Sequence, residues 1–158
     1  MALGRTYTAI FENVTVTAQQ DFFEINAPAT AVVILKEIHL SQNTEVGDAQ
    51  EEMLRIAVKS GATTSGTGGT TPTAIPLELG DAAFGGTVEV NNTTKATTGT
   101  IVTHYVYSWN ERVPLDIVFT PETCKPLSPS GRLTVELLTT PGDTMNISGY
   151  VIFDSIGG

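Results

Sequence analysis

"VGDAQEEMLRIAVKSG", residues 46–61, can be written as a helix or as a strand, and the fold class follows from the choice. Asp48 followed by Glu51 has the form of a helix N-terminal capping pair, and Met53, Leu54, Ala57 and Val58 fit a helical face. Against this, Leu54, Ile56 and Val58 alternate with Arg55, Ala57 and Lys59. A clean period of two, carried by Ile and Val, predicts a strand from Glu52 to Lys59. The capping pair is left at most a single turn ahead of it. With this segment extended, no convincing long helix remains in the chain.

Working outward, short alternating segments separated by turn residues dominate. Thr6–Phe11 and Asn13–Thr17 predict an opening strand or hairpin, and "DFFEINA" at Asp21–Ala27 a second strand ending before Pro28. Ala31–Leu40 is the clearest strand of all. Strict alternation puts Val32, Ile34, Ile38 and Leu40 on one face, interrupted by Lys36, and Val33, Leu35, Glu37 and His39 on the other. Both faces are apolar at its start, which predicts cover on both sides there. Thr87–Val90, Thr100–Trp109, Leu115–Thr120, Arg132–Leu138 and Ile147–Asp154 complete the strands. In Thr100–Trp109 the alternation lines up Ile101, Thr103, Tyr105, Tyr107 and Trp109. Asp81–Phe84 has the form of one helical turn, and "PETCKPLSPSG" is a proline-punctuated loop.

About eight to ten antiparallel strands in one chain predict an all-β fold, an antiparallel two-sheet sandwich of jelly-roll-like type, with a closed barrel as the alternative. Composition agrees. Charged residues are 16% of the 158, replaced by Thr, Ser, Asn and Gly, which favour strands and turns. The length suits a single domain, residues 1–158. It has an extended N-terminal segment and a long Gly/Thr loop at 60–74, "SGATTSGTGGTTPT", predicted to be mobile. Strands on both sides of that loop are needed to complete two sheets, so it is not a linker.

The charge balance bears on function. Seventeen acidic residues against eight basic ones give a net charge of −9, which repels nucleic-acid backbones and anionic membranes. The start "MALGRTYTAIFENV" offers no apolar core for a secretory signal, and the longest apolar run, Ala31–Leu35, falls far short of the ~20 residues of a membrane span. The Asn-x-Ser/Thr triplets at Asn13, Asn91, Asn92 and Asn146 read as the chance product of a Thr-rich chain. Cys124 is the only cysteine, so no intrachain disulfide forms, and it reads as a small buried hydrophobe.

The chemistry-bearing motifs are missing. The Gly/Thr stretch lacks the lysine and the helix that a phosphate cradle needs. His39 and His104, the only histidines, belong to no metal-ligand motif, and Glu45, Asp48, Glu51 and Glu52 lack calcium-loop spacing. No nucleophile motif or triad order appears. The expectation is no enzyme, with no catalytic, cofactor-binding or metal site and no cofactor. The face Tyr105, Tyr107 and Trp109 fits sugar binding, but at strand spacing it better fits sheet packing or a subunit interface.

Six stretches taken together are distinctive: "TYTAIFENVTVTAQQDFFEI" (6–25), "EVGDAQEEMLRI" (45–56), "TSGTGG" (64–69), "EVNNTT" (89–94), "WNERVP" (109–114) and "GDTMNISGYVIFD" (142–154). The chain resembles, over most of its length, a group of small proteins encoded in tailed-phage and prophage genomes. The resemblance implies a virion component, best fitted by a capsid decoration, or cement, protein. Such a protein is made in the host cytoplasm and lies on the capsid surface. It binds the major capsid protein, self-associates as a homotrimer, and engages neither nucleic acid nor membrane. The N-terminal Ala2, Leu3, Arg5 and Tyr7 and the loop residues Asn110, Glu111 and Arg112 are the candidate protein contacts. The alternative is a carbohydrate- or receptor-binding module of a tail fibre, spike or other tail part.

Overall fold

The computed structural model describes residues 4–43 and 51–157. Eleven strands run through them: β1 (Arg5–Val16), β2 (Asp21–Asn26), β3 (Ala31–Gln42), β4 (Met53–Thr64), β5 (Ile75–Pro76), β6 (Thr87–Asn92), β7 (Thr97–Asn110), β8 (Leu115–Val118), β9 (Lys125–Leu127), β10 (Arg132–Leu137) and β11 (Met145–Gly157). The deciding segment is a strand. Of its helical capping pair, Asp48 lies outside the described residues. Asp81–Phe84 forms no helical turn; the Asp81 N–H donates to the Glu78 carbonyl in a simple turn.

The strands form two antiparallel sheets. One has the order β5-β1-β11-β3-β8, with β9 also on β3; the other is β6-β2-β10-β4-β7. Without the short additions β5, β6 and β9, the sheets read β1-β11-β3-β8 and β2-β10-β4-β7. Successive strands thus cross between the sheets, except β4 and β7, which pair within the second, and the first and last lie side by side. This is the two-Greek-key order of a jelly roll.

The core is the layer between the sheets. Tyr7, Phe11, Leu35, Leu40, Val151 and Phe153 enter it from the first sheet, and Phe23, Ile25, Leu54, Ile56, Leu133 and Leu137 from the second. Tyr7 stacks on Phe153 at 5.8 Å and tilts against Phe84 at 5.4 Å, while Phe11 lies on Phe22 and Phe23. Burying each such aromatic contributes about 1.5–3 kcal/mol.

Two expectations change, both through β-bulges. In β3 the register against β11 slips so that Lys36 is an extra residue between Leu35 and Glu37. One extra residue reverses the alternation. Val33, Leu35, Ile38 and Leu40 therefore all face the core, and the apolar start of β3 is not covered on both sides: Val32 and Ile34 are only half-buried. In β7 the residue after Thr103 is likewise extra: Thr103 pairs with Lys59, and Tyr105 with Val58. The predicted row from Ile101 to Trp109 is broken there. Of the strand-or-hairpin alternatives for the opening segment, the strand holds: β1 runs through, bulged between Phe11 and Val14 with Asn13 at φ 54°.

From Arg5 onward the N-terminal segment is an interior strand between β5 and β11; Ala2 and Leu3 lie outside the described residues. The stretch 60–74 is not a free loop. β4 continues through Ser60 to Thr64, opposite the Thr97 end of β7. Gly61 (φ 99°) and Gly99 (φ 76°) face each other across this arm, where a side chain on either would strike the other strand's backbone. Thr67 and Thr70 then make isolated bridges to Thr94 and Val90.

Candidate functional site

What holds the Gly/Thr stretch down is a buried polar network on the outer face of the second sheet. Glu24 of β2 projects there and is fully buried. Its carboxylate accepts from Ser65 Oγ at 2.6 Å, from the Gly66 N–H at 2.9 Å and from Asn92 Nδ2 at 3.3 Å, and pairs with Arg132 Nε of β10 at 2.7 Å. Beside it, Glu136 lies between Lys59 at 2.6 Å and Lys95 at 2.8 Å. Asp21 accepts from the Ala96 N–H at 2.7 Å. Burial lifts the Asp21 carboxyl from an ordinary 3.8 to about 7; Glu136 and Glu24 add to the rise, and the Ala96 bond and Lys95 oppose it. A buried carboxylate supplied with this many donors needs the backbone to approach closely. Gly66 allows it, since a Cβ there would meet the Thr94 carbonyl at 2.6 Å. Sequence reading missed this network because Asp21, Glu24 and Glu136 alternate with apolar residues just as solvated strand residues do.

The same inserted segment covers one edge of the second sheet, through Thr70 and Val90 on β6. Edges of the first sheet are short: two residues including Pro76 in β5, four in β8. Short length, proline and cover are the usual protections of a sheet edge. The remaining edge, β7, has none of them. It is fourteen residues long, "TTGTIVTHYVYSWN", and contains no Lys, Arg, Asp or Glu. Among the described residues only β4 pairs with it. Ile101, Val102 and Val106 on it are 42%, 47% and 55% exposed.

The aromatic row at its far end is packed and not open. Trp109 is buried and its Nε1–H donates to the Val113 carbonyl at 2.6 Å. The Tyr105 hydroxyl donates to the Thr123 carbonyl at 2.7 Å, and its ring lies 5.4 Å from Phe119.

The sequence-predicted contact residues fall in two places. Tyr7 is buried, with its hydroxyl donating to the Ala82 carbonyl at 2.9 Å, and Arg5 pairs with Asp81 at 3.6 Å. Both strap the 77–84 segment onto β1, so Tyr7 has no side-chain surface for a partner. At the other end, Glu111 is buried and accepts from the Glu52 N–H at 2.9 Å. Asn110 Nδ2 donates to Glu51 and Asn110 Oδ1 accepts from the Arg112 N–H, while the Arg112 guanidinium reaches Glu51 at 3.7 Å. These groups close the β7–β8 turn onto the start of β4. Arg5 and Arg112 keep about half of their side chains exposed.

The two histidines sit in different sheets. His39 bonds Asp116 and stacks on Tyr150 at 4.9 Å; His104 Nε2 meets Ser60 Oγ at 2.8 Å. Glu52 of the acidic group accepts from the Asp143 N–H at 3.1 Å; Glu45 and Asp48 lie outside the described residues. Among the described residues no group of three or more His, Cys, Asp or Glu is placed to hold a metal ion.

A cleft of about 450 Å³ opens between the β4 arm and the segment from β9 to β10. Its walls carry Lys125, Ser128, Ser130 and Arg132 on one side and Ser60 and Thr63 on the other. Comparison with models of protein families, with curated proteins and with solved structures finds no match to this chain.

Proposed function

We propose that the chain is a structural virion subunit: a capsid decoration protein that binds the outside of a shell of major capsid protein and strengthens it. It acts as a self-associated assembly, a homotrimer. The observation that supports this best is the β7 edge. Three of four sheet edges are protected, and the fourth offers a long, uncharged, partly apolar ladder of backbone donors and acceptors. Such an edge is a template for pairing with another chain. In a closed ring of copies, heterologous contacts cover one such edge per subunit. Attachment of several subunits at once then multiplies weak contacts to the shell. The buried ionic network fits the same role, because it fixes the inserted segment as part of a rigid body. The jelly-roll order is shared by viral capsid proteins, lectins and cupins, and adds only an analogy.

The test is co-sedimentation of purified protein with matching shells that lack it. Saturable binding, with raised resistance of the shells to heat, is expected. Absence of binding, or binding to isolated tails instead, overturns the proposal.

A further inference from the structure

The cleft beside Lys125 is chemically unlike the rest of the molecule. The chain has 17 acidic residues against 8 basic ones, yet two bases and no acid line this cleft. Six of the eight cations face a carboxylate: Arg5, Lys36, Lys59, Lys95, Arg112 and Arg132. A seventh, Arg55, is exposed to water. Lys125 is different. It is half-buried, and among the described residues its ammonium meets only the Pro126 carbonyl, at 2.7 Å. Burial holds its pKa below the ordinary lysine value. Burial, and then Lys125 itself, also lower the pKa of the nearby His104. A partly desolvated ammonium without a counter-charge is costly, and a bound anion removes that cost.

Arg132 also lines the cleft, but its charge is already matched by Glu24. Its guanidinium is held by Glu24, by Asn26 Oδ1 at 2.7 Å and by the Ala62 carbonyl at 3.2 Å. Of the hydroxyl residues lining it, Ser60 and Thr63 already bond His104 and Thr98, and Ser128 and Ser130 are exposed. The volume lies within the roughly 300–1,000 Å³ of small-molecule sites. An acidic side chain of a protein partner would leave most of it, and most of those hydroxyls, to water.

We propose that this cleft binds an acidic sugar unit, with the ring carboxylate at Lys125 and the ring hydroxyls at the surrounding serines and threonine. The site goes beyond shell binding and does not depend on it. Backbone amide shifts of the intact protein, titrated at constant ionic strength with sodium glucuronate, glucose or acetate, test it. Glucuronate is expected to shift Gly61, Ser128 and Gly131 saturably, with glucose and acetate at least about tenfold weaker. Lys125→Gln is expected to weaken glucuronate about tenfold, and Lys36→Gln, outside the cleft, to leave it unchanged. A flat glucuronate titration overturns the proposal, as does undiminished binding by a folded Lys125→Gln variant. Acetate binding as well as glucuronate also overturns it, by assigning the cleft to bare carboxylates. Shell binding is read separately, so either result leaves the decoration reading to its own test.

Discussion

Glu24 decides whether the Gly/Thr stretch belongs to the body. Five groups converge on its carboxylate, from Asn26, Ser65, Gly66, Asn92 and Arg132, and Arg132 is its charge partner. Glu24→Gln keeps one acceptor and loses the charge, leaving Arg132 short of compensation. A destabilisation of about 2–3 kcal/mol is expected. Amide exchange at Gly66, Thr67 and Thr70 should accelerate more than in the core strands. If the variant loses stability without that local change, the network does not tether the segment. Asp21 makes a separate prediction, through pH. Its folded pKa, about 7, lies above the ordinary 3.8, so the unfolded chain gives up its proton first. Stability is highest at or below the lower value and falls as pH rises toward the upper one, by up to about 1.4 kcal/mol per pH unit, before levelling off. Asp21→Asn removes this slope and keeps an acceptor for the Ala96 N–H. Urea midpoints at about pH 5 and about pH 8 check it: the parent should weaken with pH more than the variant, and equal responses would refute the assignment.

At the scale of the element, β7 is the strand whose edge has no cover among the described residues. Val106→Lys places a charge on an exposed position of that edge. Monomer stability should stay within about 0.5 kcal/mol, while self-association weakens about tenfold or more. Sedimentation velocity of parent and variant reads this, and an unchanged assembly mass would place the subunit contact elsewhere. Strand existence was legible in the sequence because alternation reports burial directly: β3, β4, β7, β10 and β11 all stand where the pattern puts them. Which face each residue takes was not. The extra residues at Lys36 in β3 and after Thr103 in β7 reverse the alternation, and no local signal marks either bulge. Two short strands were also out of reach. β5 has two residues and β9 three, and each exists only through its partner strand and carries a proline that argues against it.

For the whole molecule, composition and strand count led to the right architecture, since the jelly-roll order is one of few ways to pack about eight strands into two sheets. The inserted segment was misread as mobile for a physical reason. Its own residues are small and polar, and what orders it is a carboxylate some forty residues earlier in the chain, at Glu24. Of the expected contact residues, Tyr7 and Glu111 turned inward, because an aromatic ring and a buried backbone N–H each needed a partner inside the fold. That Lys125 faces no carboxylate among the described residues was equally invisible, because ion pairing is a property of the folded chain. Under the proposed decoration role, the acidic composition keeps free copies soluble and the edge left open among the described residues assembles them. Electron microscopy of the native particle tests this most directly. Decoration predicts density fitting this sandwich on the outer surface of the capsid shell, with β7 against a neighbouring subunit. Density for the protein in the tail, or a shell bare of it, would contradict the account.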